Sequence, residues 1–230
     1  MNNVQEYGTM RLGKGGKDMN ILIACEESQT ICKAFRARGF NAFSCDLKAC
    51  SGGHPEWHLQ RDVRTVLDHP WDLIIAHPPC TYLSRAGARW LYKDHKLNEE
   101  RYEKLLAAKE FFLMFYNHIC ENICIENPTP FNIAELPMYD QVIQPYEYGA
   151  PYSKRTLLWL KNLPLLKPTK IIEEHTPYVP SNCSNFKKGL SKGSYGACNN
   201  NSEDRSKTFE GIAEAMADQW GNYLIRRYRL

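Results

Sequence analysis

Two short motifs carry a thiol and a carboxyl group directly after predicted strands. The motif Pro-Pro-Cys80 follows the apolar run Asp72–Ala76, and Glu126 ends a second apolar run. A thiolate is a strong nucleophile near neutral pH once nearby positive charge or a helix N-terminus lowers the pKa of the thiol. An acid at ring nitrogen N3 helps such a thiolate add to carbon 6 of cytosine, which activates carbon 5. Cys80 and Glu126 are therefore of the residue types that such an addition would need, a nucleophile and an acid.

Short apolar strands alternate with helices around these motifs. The predicted strands are Asn20–Cys25, Ala42–Asp46, Asp72–Ala76, Asn122–Glu126 and Thr156–Leu160. The predicted helices are Thr30–Arg38, about Glu99 to His118, and Thr208–Trp220. The alternation predicts the α/β class, a Rossmann-like and mostly parallel sheet with helices on both faces. Ligands of such sheets bind at the carboxyl ends of the strands, where Cys80 and Glu126 both fall.

Local signals mark the ends and buried faces of the helices. Ser28 is a plausible N-cap of the first helix, and Gly39 stops that helix. In the second helix, the residues available for a buried stripe are Leu105, Leu106, Phe112 and Phe115. In the last helix, Ile212, Met216 and Trp220 share one side at helical spacing.

The length and composition predict one main domain with a small appendage. The chain has 230 residues, enough for one full core. Residues 1–18 are polar and basic and predict a flexible arm, residues 19–160 form the core, and residues 206–230 return to it as a helix. Residues 161–205 between them are rich in Pro, Lys, Ser, Gly and Asn and show little periodicity.

Charge and cysteine content indicate which partners and which cellular location the chain can have. A formal net charge of +3 permits a nucleic-acid partner without requiring one. Nine cysteines lie scattered through apolar runs, and no apolar secretory segment opens the chain, which favours a reducing, cytoplasmic location. No run approaches the roughly 20 apolar residues of a membrane span. His175, Cys183 and Cys198 lack a Cys-x-x-Cys pair and a fourth ligand, so no metal is expected.

Taken in chain order, these motifs resemble the DNA cytosine-5 methyltransferase family. That family has its nucleophile in a Pro-Cys motif at a strand end and its acid in a Glu-Asn motif, which correspond to Cys80 and Glu126. Tyr152–Arg155 resembles its Gln-x-Arg-x-Arg segment, so Arg155 is expected to hold the cytosine carbonyl; Ser153 stands where the family has its first arginine. The resemblance implies the class I S-adenosylmethionine-dependent methyltransferase fold, with DNA as partner.

The resemblance also implies where S-adenosylmethionine binds. Asp46 is expected near the ribose hydroxyls and Asp62 at the adenine amino group. Where the family has a glycine-rich turn, this chain reads Cys25–Gln29, so Glu26 or Glu27 is a candidate for the ammonium and a modified donor stays open. The implied cofactor-binding residues are Cys25, Glu26, Glu27, Ser28, Asp46, Leu47, Asp62, Val63 and Pro78.

Substrate contacts are expected around both motifs. The implied residues are Pro79, Ser84, Arg85, Arg89, Asn127, Pro128 and Lys154. The basic stretch from Arg85 to Lys93 follows the nucleophile, where it would touch phosphate and help to hold a flipped base. Residues 161–205 are expected to form a target-recognition-like insertion, much shorter than the typical target-recognition domain of the family. The chain resembles the small members of the family that bacteriophages and prophages carry.

Other functions remain open at this point. The same addition chemistry could act on RNA or on a pyrimidine nucleotide. Amino-methyltransferases also place Pro-Pro after a strand, but they need an aromatic residue where this chain has Cys80. A third possibility is a non-catalytic DNA-binding protein that retains the fold.

Overall fold

The structure is a computed structural model, which describes residues 19–85, 90–93, 96–178 and 207–228. The arm predicted over residues 1–18 lies outside the described residues, as do residues 179–205 of the predicted insertion.

The described residues form strands and helices in alternation. The strands are β1 (Asn20–Ala24), β2 (Asn41–Asp46), β3 (His58–Gln60), β4 (Leu73–Ala76), β5 (Tyr92–Lys93), β6 (Lys96–Leu97), β7 (Ile123–Pro128), β8 (Gln141–Ile143), β9 (Tyr152–Ser153), β10 (Thr156–Lys161) and β11 (Thr176–Pro177). The helices are α1 (Thr30–Ala37), α2 (Glu99–Tyr116) and α3 (Glu210–Tyr228).

Seven strands make one sheet in the order β3-β2-β1-β4-β7-β10-β8. The pairs from β3 to β7 are parallel, whereas β10 runs antiparallel to both of its neighbours. The predicted fold, a Rossmann-like, mostly parallel sheet, is confirmed. The strand order reverses between β1 and β4, and in sheets of this kind ligands bind outside the carboxyl ends of the strands at that point.

The alternation of side chains along the strands builds a core on each face of the sheet. Ile21 and Ile23 of β1 join the cluster that holds the buried faces of α1 and α3. Leu22 and Ala24 point to the other face, where they join the cluster that includes the buried face of α2. Since successive side chains of a strand point to opposite faces, an unbroken apolar strand is what a doubly covered sheet requires.

Two sequence predictions about the helices are wrong in detail. Ser28 is not the N-cap of α1; Gln29 holds that position with φ of 58°, and its side chain makes no cap bond. The side chain of Leu106 is 40% exposed, because Leu105, Phe112 and Phe115 already fill the buried side of α2.

The last helix closes the face of the sheet that carries α1. Ile212, Met216 and Trp220 are buried there, as their spacing predicts. The indole Nε1 of Trp220 donates to the carbonyl of Pro164 at 2.9 Å, and Leu166 is buried in the same cluster. Among the described residues, no helix combines the length and the apolar character needed to cross a bilayer.

Replacing Trp220 with Ala tests the contribution of this packing. Trp220 has no exposed surface, so we expect the variant to lose about 3–5 kcal/mol of unfolding free energy in urea titrations. The matched control is Ile119→Ala, because the Ile119 side chain is 92% exposed and its removal should cost less than about 0.5 kcal/mol. Equal losses in the two variants would contradict the description of α3 as part of the core.

Candidate active site

The ends of β4 and β7 meet because these strands are parallel neighbours. Ile74, Ile75 and Ala76 pair with successive residues of β7, so His77 and Glu126 emerge side by side. His77 Nδ1 lies 3.1 Å from Glu126 Oε2, and both side chains are largely buried, with 11% and 17% of their surface exposed. The hydrogen bond therefore joins the loop that carries Cys80 to the predicted acid.

Further bonds join the chain segments beyond these strand ends. Asn127 Nδ2 donates to the carbonyl of Pro78 at 2.9 Å. Beyond that, the two loops pair as short antiparallel segments: Ser84 forms a bridge with Pro130, and Arg85 N donates to the Thr129 carbonyl at 3.1 Å. The two sequence motifs are thus one structural unit.

Cys80 occupies a tight turn at this edge of the sheet. Its carbonyl accepts the backbone N–H groups of Leu83 at 3.1 Å and Ser84 at 2.9 Å, and its side chain is half-buried. Burial raises the thiol pKa at five other positions, which are Cys25, Cys32, Cys45, Cys120 and Cys124. A buried thiol of raised pKa is a poor nucleophile, so the partly exposed Cys80 is the better candidate.

Opposing effects act on the Glu126 carboxyl. Burial by itself raises its pKa, but the hydrogen bond and charge of His77, together with the charge of Lys154, outweigh burial and lower it. A buried carboxyl group without such partners would take up a proton instead. His77 and Lys154 therefore favour the charged form of Glu126.

The predicted Arg155 and its neighbour Lys154 differ in their surroundings. Thr156, the first residue of β10, pairs with Pro128 at the end of β7, so both cations lie next to the Glu126 strand end. Arg155 is exposed and donates from Nη2 to the Tyr139 hydroxyl at 3.1 Å. Lys154, which was expected only to contact substrate, is the one whose charge acts on Glu126.

The turn after β1 keeps left-handed backbone at residues other than glycine. Cys25 has φ of 61° and Gln29 has φ of 58°, a region that favours glycine. The Glu26 carboxylate accepts the Ile31 N–H at 2.7 Å and the Cys32 N–H at 3.3 Å. Gln29 holds the N-cap position, but the Glu26 side chain accepts the free N–H groups at the start of α1, which is a role that sequence reasoning missed.

A second loop packs closely on this turn. Gln29 exchanges hydrogen bonds with the backbone of His54, donating at 2.8 Å and accepting at 3.0 Å. A Cβ atom at Gly52 would lie 2.5 Å from the Gln29 Cβ and from the Ser28 carbonyl oxygen, so only glycine fits there. Gly52 therefore lets its loop pack directly against the turn after β1.

The predicted nucleotide-binding acids lie at neighbouring strand ends. Asp46 Oδ1 accepts the Lys48 N–H at 2.9 Å, and Asp62 Oδ1 accepts the Arg64 N–H at 3.0 Å. Burial raises the pKa of the Cys25 thiol, and the charges of Asp46 and Asp62 raise it further. Both acids therefore lie near the turn that ends β1.

The remaining predicted residues have mixed surroundings. Leu47 is 72% exposed beside Asp46. The buried residues are Val63, Pro78, Ser84 and Asn127, and the exposed ones are Pro79 and Arg85. Glu27 accepts the Ser51 N–H through its carbonyl at 2.9 Å, and the Ser28 hydroxyl lies 3.1 Å from that of Thr30.

Some expectations fall outside the described residues. Arg89, Cys183 and Cys198 are among them. Within the described ranges, no group of three or more His, Cys, Asp or Glu side chains is arranged to hold a metal ion.

His77 is the site residue that sequence reasoning missed. Its ring connects the two motifs, and its charge also acts on the buried Glu26 carboxyl. The signal in the sequence was a lone polar residue between an apolar run and Pro-Pro.

Comparison with known proteins adds three solved structures. No protein-family model matches the chain. No curated protein matches it at a significant level. A candidate DNA modification methyltransferase encoded within a prophage (E. coli) has 17% identity and a TM-score of 0.42. The match covers 67% of this chain and 52% of the methyltransferase chain. The methyltransferase EhMeth of Entamoeba histolytica has 13% identity and a TM-score of 0.39, covering 71% and 60%.

A mutant of DNMT2 from Spodoptera frugiperda has 16% identity and a TM-score of 0.38, covering 71% of this chain and 56% of its own. The chain thus spans between 52% and 60% of the length of these three proteins.

The His77 pair leads to a prediction about pH. In His77→Ala we expect the pKa of Glu126 to rise, because burial persists while the hydrogen bond and the charge of His77 are lost. In the wild type, the lowered pKa adds stability above the unfolded glutamate pKa of about 4.3, and this stability is lost as the pH falls through the folded value. In the variant only the charge of Lys154 still opposes burial, so we expect this stability gain to shrink, and its sign to reverse once the folded pKa exceeds the unfolded value of about 4.3.

NMR titration of labelled glutamate carboxyls and urea unfolding across this pH range measure both effects. His69→Ala is the control, because His69 precedes β4 whereas His77 follows it. An unchanged Glu126 titration in His77→Ala would show that the pair does not control this carboxyl.

Proposed function

We propose that this chain is a DNA cytosine-5 methyltransferase, which transfers a methyl group from S-adenosylmethionine to carbon 5 of cytosine through a Cys80 adduct at carbon 6. One observation carries the proposal. A partly exposed thiol and a buried carboxylate, Cys80 and Glu126, lie on adjacent strand ends that His77 and Asn127 hold together. A thiol nucleophile and an acid at the carboxyl ends of two neighbouring parallel strands, next to the switch point of the sheet, are what this addition needs.

The chain's own residues supply the addition step. The Cys80 thiolate forms a bond to carbon 6, and the electrons displaced into the ring require a proton at N3. Glu126 in its charged form has no proton to give, so a protonated His77, whose Nδ1 lies 3.1 Å from Glu126 Oε2, would pass its proton through the carboxyl group to N3. When carbon 5 later gives its proton to a solvent water molecule, the bond between sulfur and carbon 6 breaks, N3 returns its proton to the pair, and the thiolate is restored.

The residues around the turn after β1 fit S-adenosylmethionine. The cofactor carries positive charge on its sulfonium and ammonium groups, and the charges of Asp46 and Asp62 both act at this turn. Asp46 would hold the ribose, Asp62 the adenine amino group, and the exposed Leu47 side chain the adenine face. When bound, the cofactor supplies the methyl group that carbon 5 accepts. Both Glu26 carboxylate oxygens accept backbone N–H groups of α1, which makes Glu27 the better candidate for the ammonium.

DNA is the proposed substrate because cationic side chains lie beside the two motifs that carry Cys80 and Glu126. Arg85 and Arg155 are exposed beside the two motifs, and Lys154 lies close enough to act on Glu126. An enzyme that attacks carbon 6 must take the base out of the stack, which leaves flanking phosphates for such cations to hold.

Replacing Cys80 tests the covalent mechanism. DNA containing 5-fluorocytosine should trap the wild-type protein as a stable adduct, because fluorine at carbon 5 blocks the final elimination. In Cys80→Ala we expect neither adduct nor methylated product, with urea stability within about 1 kcal/mol of the wild type, since Cys80 lies at the sheet edge.

The matched control for this experiment is Cys50→Ala, which removes another partly exposed thiol. It should form the adduct at the wild-type rate. Peptide mapping should find the modified base on Cys80. Product formation by Cys80→Ala at the wild-type rate is incompatible with the proposed mechanism.

The cofactor site gives a separate prediction. In Asp46→Ala and in Asp62→Ala we expect the binding free energy for S-adenosylmethionine to weaken by about 1–3 kcal/mol, because each variant loses a hydrogen bond to a ribose or adenine group. Calorimetry measures this directly. Asp68→Ala, which removes an exposed aspartate farther along the chain, should bind as the wild type does. Unaltered affinity in both test variants would mean that the cofactor binds elsewhere.

A further inference from the structure

A cleft of about 320 Å³ lies beside the loop that carries Cys80. It is lined by Tyr82, Trp90, Asn98, Glu100, Arg101 and Lys104. Tyr82 and Trp90, which follow the nucleophile in the chain, form one wall, and the first turns of α2, which begins at Glu99, form the other. Arg101 Nη2 donates to the Thr81 carbonyl at 3.3 Å, which holds the two walls together.

The cleft presents aromatic surface of a kind that bases stack on. Trp90 is 57% exposed, although burial of its large apolar ring would be favourable. The Arg101 guanidinium lies 5.0 Å from the centre of the Tyr82 ring, a cation–π arrangement. Aromatic rings combined with arginine are the usual platform for the bases of an unpaired nucleic-acid strand.

The polar groups of the cleft suit an uncharged base better than a phosphate. Lys104 Nζ lies 2.5 Å from Glu100 Oε1, so a carboxylate neutralises one of the two cations in the lining. An anionic group placed there would face Glu100 at close range. A base offers hydrogen-bond donors and acceptors that suit a carboxylate, a guanidinium and a side-chain amide such as that of Asn98. The Asn98 Oδ1 already accepts the backbone N–H of Arg101 at 3.1 Å.

We propose that this cleft binds the base of a nucleotide next to the target cytosine in the substrate strand, with Trp90 as its stacking surface. The inference rests on the proposed function. Tyr82 follows Cys80 by two positions in the chain, so a base in the cleft lies next to one held at the nucleophile. Extruding the target unstacks its neighbour, which then has an exposed face for an aromatic ring to cover. The volume lies at the lower end of the range for small-molecule pockets and is enough for one base.

The experiment couples Trp90 to individual bases of the DNA. Full-length protein carrying Cys80→Ala, which cannot react, is titrated with duplexes that contain a single C·G pair and one abasic nucleotide at successive positions around the cytosine. At one flanking position we expect the missing base to weaken binding roughly 5- to 150-fold, the usual contribution of a stacked base. Adding Trp90→Ala should weaken binding to the intact duplex by a similar factor and remove the sensitivity at that position alone.

Two further variants serve as controls. Trp90→Phe keeps an aromatic ring and should restore most of the sensitivity. Tyr116→Ala removes an exposed aromatic side chain from the far end of α2 and should bind all duplexes as the parent does. Because Trp90 is mostly exposed, its truncation leaves the core intact.

These binding measurements test the base-binding cleft independently of whether the protein forms 5-methylcytosine. Equal sensitivity to the abasic nucleotide with and without Trp90 overturns the inference, even if the wild type produces 5-methylcytosine. Weaker binding in Arg101→Ala with no abasic effect at any position also overturns it, because the cleft would then hold phosphate. Coupling between Trp90 and one base without any methylated product supports the base site and rejects the proposed activity instead.

Discussion

The hydrogen bond between His77 and Glu126 joins the ends of two parallel strands inside a largely buried site. Without a partner, burial would favour the neutral form of this carboxyl, because a charge loses its hydration there. The His77 hydrogen bond and charge, with the charge of Lys154, reverse that preference. The same ring begins the Pro-Pro-Cys80 loop, so the group that controls the proposed acid also positions the proposed nucleophile. The parallel pairing of β4 with β7 is what brings these two positions together.

His77 also connects the proposed catalytic edge to the proposed cofactor edge. Its backbone N–H donates to the carbonyl of Ala24 at 2.9 Å. Burial raises the pKa of Glu26, and the charge of His77 opposes that rise in part. Glu26 caps α1 with its carboxylate, so the turn after β1 is held by a side chain where a glycine-rich turn would be held by backbone geometry. Both edges of the site therefore depend on buried carboxylates whose charge one imidazole influences.

Much of this arrangement was predictable from the sequence, because it depends on strand order and on residues at strand ends. Apolar runs such as Asn20–Ala24 predicted the sheet, and its alternation of faces followed from the period of a strand. The helix cap was not predictable, because Glu26 reaches a helix that starts several residues later while Ser28 fitted the local pattern better. The strand β10 was predicted, but its antiparallel direction was not, since the direction of pairing depends on contacts far apart in the chain. His77 and Lys154 acquire their roles only through neighbours that folding brings together, and pattern reasoning about single strands does not reach such contacts.

Mass spectrometry of nucleosides tests the central claim most directly. DNA from cells that express the wild-type chain would be compared with DNA from cells that express Cys80→Ala and from cells without the gene. The account predicts 5-methylcytosine above background only with the wild type, together with loss of an equal amount of cytosine. A methylated exocyclic amine of cytosine or adenine would contradict the account, since those products need no thiol adduct. DNA that remains unmodified while the wild-type protein binds it would also contradict the account and would leave a binding protein with this fold.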